Sequence, residues 1–61
     1  MMEKWYTIEW NGIDPWGNNY SNRQTVYTET EAQQLIFYLV HKEGVRNIYK
    51  NTIERIIKIE E

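Results

Sequence analysis

The sequence predicts a small α+β fold in which one helix packs on one face of an antiparallel sheet. An amphipathic segment with signals for a helix start and a helix end occupies residues 28–45. Segments of alternating polar and apolar residues, rich in β-favouring side chains, lie on both sides of it. The expected order is strand, strand, helix and then one or two strands, ββαβ(β), in a single domain that spans residues 1–61.

The central helix is predicted over Glu29 to Glu43. Thr28 and Glu31 fit a capping box, in which the hydroxyl accepts from the glutamate N–H and the carboxylate accepts from the threonine N–H. An apolar stripe at three- and four-residue spacing follows and contains Ala32, Leu35, Ile36, Leu39 and Val40. Gly44 stands where a left-handed residue commonly ends a helix.

Two aromatic residues of this helix lie outside the stripe. Phe37 and Tyr38 fall on its opposite flanks at about 100° per residue. They either lean over the edges of the sheet or stay exposed, and in the exposed state they are candidate partner contacts.

The first strand is predicted at Glu3 to Trp10. Alternation places Tyr6, Ile8 and Trp10 on the face that the helix covers. Trp5 lies on the uncovered face, where it pairs with an aromatic residue of the next strand such as Tyr27 or contacts another subunit.

A loop is predicted from Asn11 to Asn19, before a weaker strand at 20–27. Asn11-Gly12 alone is typical of a tight hairpin, but Asp14-Pro15-Trp16-Gly17 adds a second turn. Trp16 is therefore placed near the loop tip. It either folds back with Ile13 to cap the core or serves as an exposed anchor for a partner.

The last third of the chain is ambiguous. Strands are predicted at Arg46 to Lys50 and at Ile53 to Glu60, with Lys50-Asn51-Thr52 as the turn between them. A single bent strand and a second helix remain alternatives, because the apolar residues also satisfy a helical period. The uncovered sheet face is expected to carry Trp5, Tyr27 and Ile56, which favours a homo-oligomer.

Composition argues against several function classes. The chain has 61 residues, a net charge of −2, no cysteine and a single histidine, His41. Neither a thiolate metal site nor a cysteine nucleophile is available, and the three glycines match no phosphate-binding motif. We therefore expect no enzyme activity, no cofactor and no metal. The longest apolar run, Leu35 to Val40, is too short to cross a bilayer, and no signal peptide is visible, so a cytoplasmic protein is expected.

The central segment resembles a known group of proteins. Its residues Thr28-Glu29-Thr30-Glu31-Ala32, Leu39 and Gly44-Val45-Arg46-Asn47-Ile48 are similar to the strand, T-x-x-E-A, helix, G-V-x-N-I arrangement of short accessory proteins of phages and prophages of Gram-positive bacteria. The similarity covers a third of the chain. It implies an inhibitor of a host enzyme or defence system, of the anti-CRISPR type, in the host cytoplasm, or an oligomer that sequesters a nucleotide signal. It implies no particular site residue.

These observations favour a non-enzymatic protein-interaction module that binds and inhibits a bacterial host protein or defence factor. The candidate partner-binding residues are Trp5, Trp16, Phe37 and Tyr38. One alternative is an oligomeric nucleotide-binding sponge, in which Arg23 or Arg46 contacts the phosphate. Another is a regulatory protein that binds nucleic acid through basic residues around Tyr49, although nearby glutamates and the acidic net charge argue against it.

Overall fold

The computed structural model describes residues 2–56 and shows a three-stranded antiparallel sheet with one helix. The elements are β1 (Met2–Ile13), β2 (Asn19–Val26), α1 (Glu29–Val40) and β3 (Val45–Ile56). The strand order is β2-β1-β3, so the first strand is central. The predicted α+β class, with a single helix among the described residues, is confirmed.

Strands β1 and β2 form a longer hairpin than predicted. They pair from Tyr6 opposite Val26 to Ile13 opposite Asn19. The predicted loop at 11–19 is therefore wrong, and only residues 14–18 connect the strands. The dipeptide Asn11-Gly12 does not turn, because Gly12 lies inside β1 opposite Tyr20. A Cβ at Gly12 would lie 2.4 Å from atoms of the tyrosine ring, so the glycine makes room for that ring.

The predicted second turn is present and closes this hairpin. The Asp14 carbonyl accepts from the Gly17 N–H at 3.0 Å, and Gly17 has a φ of +84°. The Asp14 carboxylate accepts from the N–H groups of Trp16 and Asn18 at 3.0 and 2.8 Å. Aspartate favours such turns because its short side chain can hydrogen-bond to the backbone that follows it.

The core lies between one face of the sheet and α1. Its buried apolar residues are Tyr6, Ile8, Trp10, Val26, Ala32 and Leu39, which include the predicted inward face of β1. Leu35 and Ile36 are half-buried against this cluster. Val40 is 63% exposed, so its predicted place in the apolar stripe is wrong. It lies about 80° around the helix from Ala32.

Helix α1 begins as predicted and ends earlier. Thr28 Oγ1 accepts from the Glu31 N–H at 3.1 Å, as a capping box requires. The Glu31 carboxylate accepts from the Thr28 hydroxyl at 3.1 Å, so this reciprocal bond differs from the predicted one to the backbone. The helix ends at Val40 with His41 as its C-cap, three residues before the predicted end at Glu43.

Gly44 has the predicted left-handed conformation, with a φ of +86°, but it does not end the helix as predicted, because His41 is the C-cap of α1. Its carbonyl accepts from the Ile13 N–H at 2.9 Å. This bond places the end of the helical segment beside the start of the hairpin loop.

Strand β3 is continuous, so the predicted division into two strands is wrong and the single bent strand is correct. It pairs with β1 from Met2 opposite Ile56 to Gly12 opposite Val45. The register shifts by one residue between Glu9 and Asn11, which indicates a β-bulge. The bulge contains Asn47, whose φ is +53°. The predicted strand residues 57–60 lie outside the described residues.

The two long strands extend beyond β2. Because β2 reaches only Tyr6, residues 2–5 pair with β3 alone within the described chain. The β1–β2 ladder ends at Tyr6 and Val26, so it does not include the predicted pairing of Trp5 with Tyr27, and Trp5 lies directly opposite Ile53 of β3. Ile56 lies opposite Met2, on the same side of the sheet as Tyr6, so the prediction that it faces the uncovered side is wrong.

Candidate functional site

The four predicted contact residues do not form one site. Trp16 lies in the loop between β1 and β2 and is 83% exposed. Phe37 and Tyr38 lie on α1 and are 67% and 59% exposed. Trp5 lies on the uncovered face of β1, roughly 27 Å along the strand from Ile13 at about 3.4 Å per residue. The structure therefore separates Trp5 from the end of the sheet that carries the loop.

Trp16 stands on a backbone that is fixed by its neighbours. The Asp14 carboxylate accepts a hydrogen bond from the N–H of Trp16, and the hydrogen bond from the Gly17 N–H to the Asp14 carbonyl closes the turn that contains Trp16. Its ring nevertheless faces solvent, so the alternative in which it caps the core is wrong. An ordered backbone lowers the entropy lost on binding, and tryptophan is frequent among residues that dominate binding energy. This combination of fixed position and exposed ring is typical of an anchor residue.

The outward side of α1 carries a second aromatic group. The Phe37 and His41 rings have centroids 4.4 Å apart, and His41 Nδ1 lies 2.8 Å from the Phe37 carbonyl oxygen. Lys42 Nζ lies 5.7 Å from the Tyr38 ring centroid. Both aromatic residues are exposed, so the alternative in which they lean over the sheet edges is wrong. Since Gly44 bonds to Ile13, these last helical turns and the Trp16 loop share one end of the molecule.

Trp5 is more enclosed than the other three. It is half-buried, and Ile53 lies directly opposite it on β3. The Arg55 guanidinium lies 5.8 Å from the Trp5 ring centroid and donates to Glu3 at 2.7 Å. Trp5 therefore has neighbours of its own chain, and it is a weaker candidate for a free anchor than Trp16.

An ion pair joins the helix start to β3. Lys50 Nζ donates to the Glu29 carboxylate at 2.7 Å and lies 4.9 Å from the Tyr6 ring centroid. The hydrogen bond from Lys50 lowers the pKa of Glu29, and a second hydrogen bond from Tyr6 lowers this pKa further. The pair is partly exposed, so it is a surface contact between α1 and β3.

The uncovered sheet face is mainly polar. Arg23 lies 3.5 Å from the Glu9 carboxylate, and the Ser21 hydroxyl donates to Asn11 at 3.0 Å. These residues line an open depression of about 510 Å³ beside Tyr49. Because Glu9 already offsets the charge of Arg23, this depression is poorly suited to the phosphate of a nucleotide.

The other predicted phosphate contact, Arg46, has a different setting. It lies opposite Asn11 at the loop end of the sheet. Within residues 2–56 no carboxylate lies within 4.0 Å of its guanidinium. It borders a depression with Asp14 and Glu43, whose negative charges also disfavour a phosphate there.

The described part of the chain holds no group of three or more side chains that could bind a metal ion. No helix within residues 2–56 is long and apolar enough to cross a membrane.

Sequence reasoning did not find the Lys50–Glu29 pair or the side of the sheet on which Ile56 lies. The pair joins residues 21 positions apart, so nothing local signals it. Ile56 is 80% exposed, but it lies on the helix side of the sheet and not on the uncovered face where it was expected. In a continuous strand, Ile56 must lie on the same face as Lys50, Thr52 and Glu54, because residues two positions apart share a face.

No family model, curated protein or solved structure matches this chain.

Proposed function

We propose that this chain is a non-enzymatic protein-binding module that inserts Trp16 into a cleft of a larger bacterial protein and thereby blocks it. The observation that carries the proposal is an 83% exposed tryptophan on a loop whose backbone is fixed by Asp14. In the free chain the Trp16 ring buries little apolar area, but a tryptophan ring can bury on the order of 200 Å² in a partner.

The same end of the molecule supplies a broader contact. Phe37 and Tyr38 lie on the last helical turns, close to the loop because Gly44 bonds to Ile13. Exposed aromatic residues are enriched in binding surfaces, so Phe37 and Tyr38 can add to the contact that Trp16 makes. The mechanism of inhibition is steric, since the chain occupies a surface that the partner needs.

The resemblance to phage and prophage accessory proteins supports a bacterial host protein or defence factor as the partner. Such a module needs no cofactor, because binding alone produces the effect. The cytoplasm of the host is the compartment in which we expect this encounter.

A quantitative capture experiment tests the proposal. The wild-type chain and a Trp16→Ala variant are immobilised, exposed to a Gram-positive bacterial lysate, and the bound proteins are quantified by mass spectrometry. Trp16→Ala should reduce the specific capture by about tenfold or more, as loss of a dominant anchor does. Phe37→Asp should reduce the same capture to a smaller extent.

Tyr27→Ala is the matched control, because Tyr27 is also an exposed aromatic residue, at 70%, but lies at the other end of the sheet. It should leave capture unchanged. Equal capture by wild type and Trp16→Ala, with both chains folded, would show that this loop is not the binding element. A captured enzyme must also lose activity when the free wild-type chain is added.

A further inference from the structure

Strand β3 forms one edge of the sheet and is the longer of its two edge strands. It has 12 residues, against 8 for β2 at the other edge. Within residues 2–56 its only strand neighbour is β1, so one row of its backbone N–H and C=O groups has no strand partner. Such an edge is a template for another strand, and proteins usually protect it.

The side chains of this edge are arranged in a self-complementary order. After the bulge at Asn47, the strand runs regularly from Ile48 to Ile56, and Thr52 is the middle residue of that stretch. In an antiparallel pair of identical strands with Thr52 on the two-fold axis, the opposed residues would be Ile48 with Ile56, Tyr49 with Arg55, Lys50 with Glu54, and Asn51 with Ile53. Opposite charges, two apolar residues, and an arginine with an aromatic ring then face each other.

We propose that β3 pairs antiparallel with β3 of a second copy of this chain, centred on Thr52, to make a continuous six-stranded sheet. This goes beyond the binding function proposed for Trp16 and does not depend on it. The interface is isologous, so every favourable pair occurs twice.

Neighbouring registers are less favourable. Directly opposed residues of an antiparallel pair point to the same face of the sheet, so their numbers differ by an even number. The two-fold axis must therefore lie between the two copies of one residue. An axis at Asn51 opposes Ile48 and Glu54, and an axis at Ile53 opposes Lys50 and Ile56. An axis at Lys50 or at Glu54 brings two like charges together. Of these five axes, only the one at Thr52 places a lysine opposite a glutamate and also one isoleucine opposite another.

The exposure of Ile56 supports this register. Ile56 is 80% exposed in the isolated chain, whereas Ile48 is half-buried against the core. Pairing across the axis would place Ile56 beside the apolar surface that Ile48 extends. On the uncovered face, Ile53 would lie diagonal to its own copy, next to Trp5 on β1. Pairing therefore covers apolar residues on both faces of the sheet.

The other edge lacks this order. Strand β2 contains one charged residue, Arg23, and no acidic residue. No two-fold pairing of β2 can place a carboxylate of that strand opposite Arg23. An axis at Arg23 would oppose Tyr20 and Val26 but would also bring the two arginines together.

A charge-reversal cycle followed by analytical ultracentrifugation tests the proposal. Lys50→Glu and Glu54→Lys should each weaken dimerisation by about tenfold or more, because each creates two like-charge pairs across the axis. The double variant should return the dissociation constant to within about threefold of wild type, since opposite charges face each other again.

The double variant also separates this effect from changes within one chain. Lys50 pairs with Glu29 at 2.7 Å, and Glu54 lies 3.8 Å from Lys4. Both of these internal pairs are lost in the double variant. If the variants acted only through these pairs, the double variant would therefore dimerise more weakly than either single variant. A wild-type chain that stays monomeric at every concentration, or a double variant no better than the singles, would overturn the proposal.

Cysteine cross-linking tests the position of the axis. The chain has no cysteine, so Thr52→Cys introduces a single thiol. Residues opposed on a two-fold antiparallel axis have Cα atoms about 4.5–5.5 Å apart, within the range that a disulfide spans. With oxidised glutathione, Thr52→Cys should form a covalent dimer at least about tenfold faster than Thr25→Cys, an exposed threonine on β2. Equal rates for the two variants would contradict a two-fold pairing of β3 centred on Thr52.

Discussion

At the residue scale, two glycines with similar backbone angles have different surroundings. Gly44 and Gly17 have φ values of +86° and +84°. A Cβ at Gly44 would lie 2.6 Å from the Ile13 carbonyl oxygen, whereas one at Gly17 would have no neighbour within 4 Å. The first position therefore combines a conformational requirement with a close backbone contact, and the second has the conformational requirement alone.

This difference gives a paired prediction. Gly17→Ala should lower the free energy of unfolding by about 1–2 kcal/mol, the cost of a left-handed conformation for an L-residue. Gly44→Ala should lower it by more, because the new methyl group also displaces the Ile13 backbone that bonds to Gly44. Urea unfolding followed by tryptophan fluorescence measures both values. Equal losses would show that the contact with Ile13 relaxes without penalty.

Residue-level reasoning from sequence was reliable where a local rule governs the residue. The Thr28 cap, the left-handed Gly44 and the turn at Asp14 follow from side-chain chemistry within four positions. It failed for Gly12, because the Tyr20 ring that occupies its space comes from the opposite strand. The exposure of Trp16 was left open for the same reason, since only the fold decides what a loop residue can reach.

At the element scale, β1 and α1 were predictable because each has one clear period. Alternation in β1 placed Tyr6, Ile8 and Trp10 in the core, and helical spacing placed Ala32 and Leu39 there. Strand β3 was divided in error because its bulge changes the period. The extra residue at Asn47 turns both Val45 and Ile48 toward the core, although they are three positions apart. Spacing of three imitates a helix, and no local signal distinguishes it from a bulged strand.

The helix stripe can be tested with two adjacent residues. Leu39 is 1% exposed and Val40 is 63% exposed. Leu39→Ala should lower the free energy of unfolding by about 2–5 kcal/mol, because it leaves a cavity between α1 and the sheet. Val40→Ala should change it by less than about 0.5 kcal/mol, as surface substitutions usually do. Circular dichroism during thermal unfolding compares the two, and a similar loss for both would contradict the observed helix orientation.

At the scale of the whole molecule, the sheet is covered by a helix on one face only. Core residues come from β1, β2 and α1, while the described part of β3 contributes half-buried residues and no buried one. A domain of this length buries only about 60% of the surface of its unfolded chain, so its own core leaves a small margin of stability. The sequence indicated this shortage and an associating surface on the uncovered face, but Ile56, one of the three residues expected there, lies on the helix side opposite Met2. Edge complementarity became visible only when β3 was known to be one continuous strand.

Association through β3 would add stability that depends on concentration. If the folded chain is dimeric and the unfolded chain monomeric, mass action raises the melting temperature with protein concentration. A hundredfold increase should raise Tm by roughly 5–10 °C for a chain of this length. In Glu54→Lys the paired edges carry like charges, so the same increase should raise Tm by less than in the wild type. Val40→Ala, which alters an exposed position on the helix, should keep the wild-type dependence. A wild-type Tm that does not change across this range would show that the core of a single chain is sufficient, and that the β3 edge contributes nothing to folding.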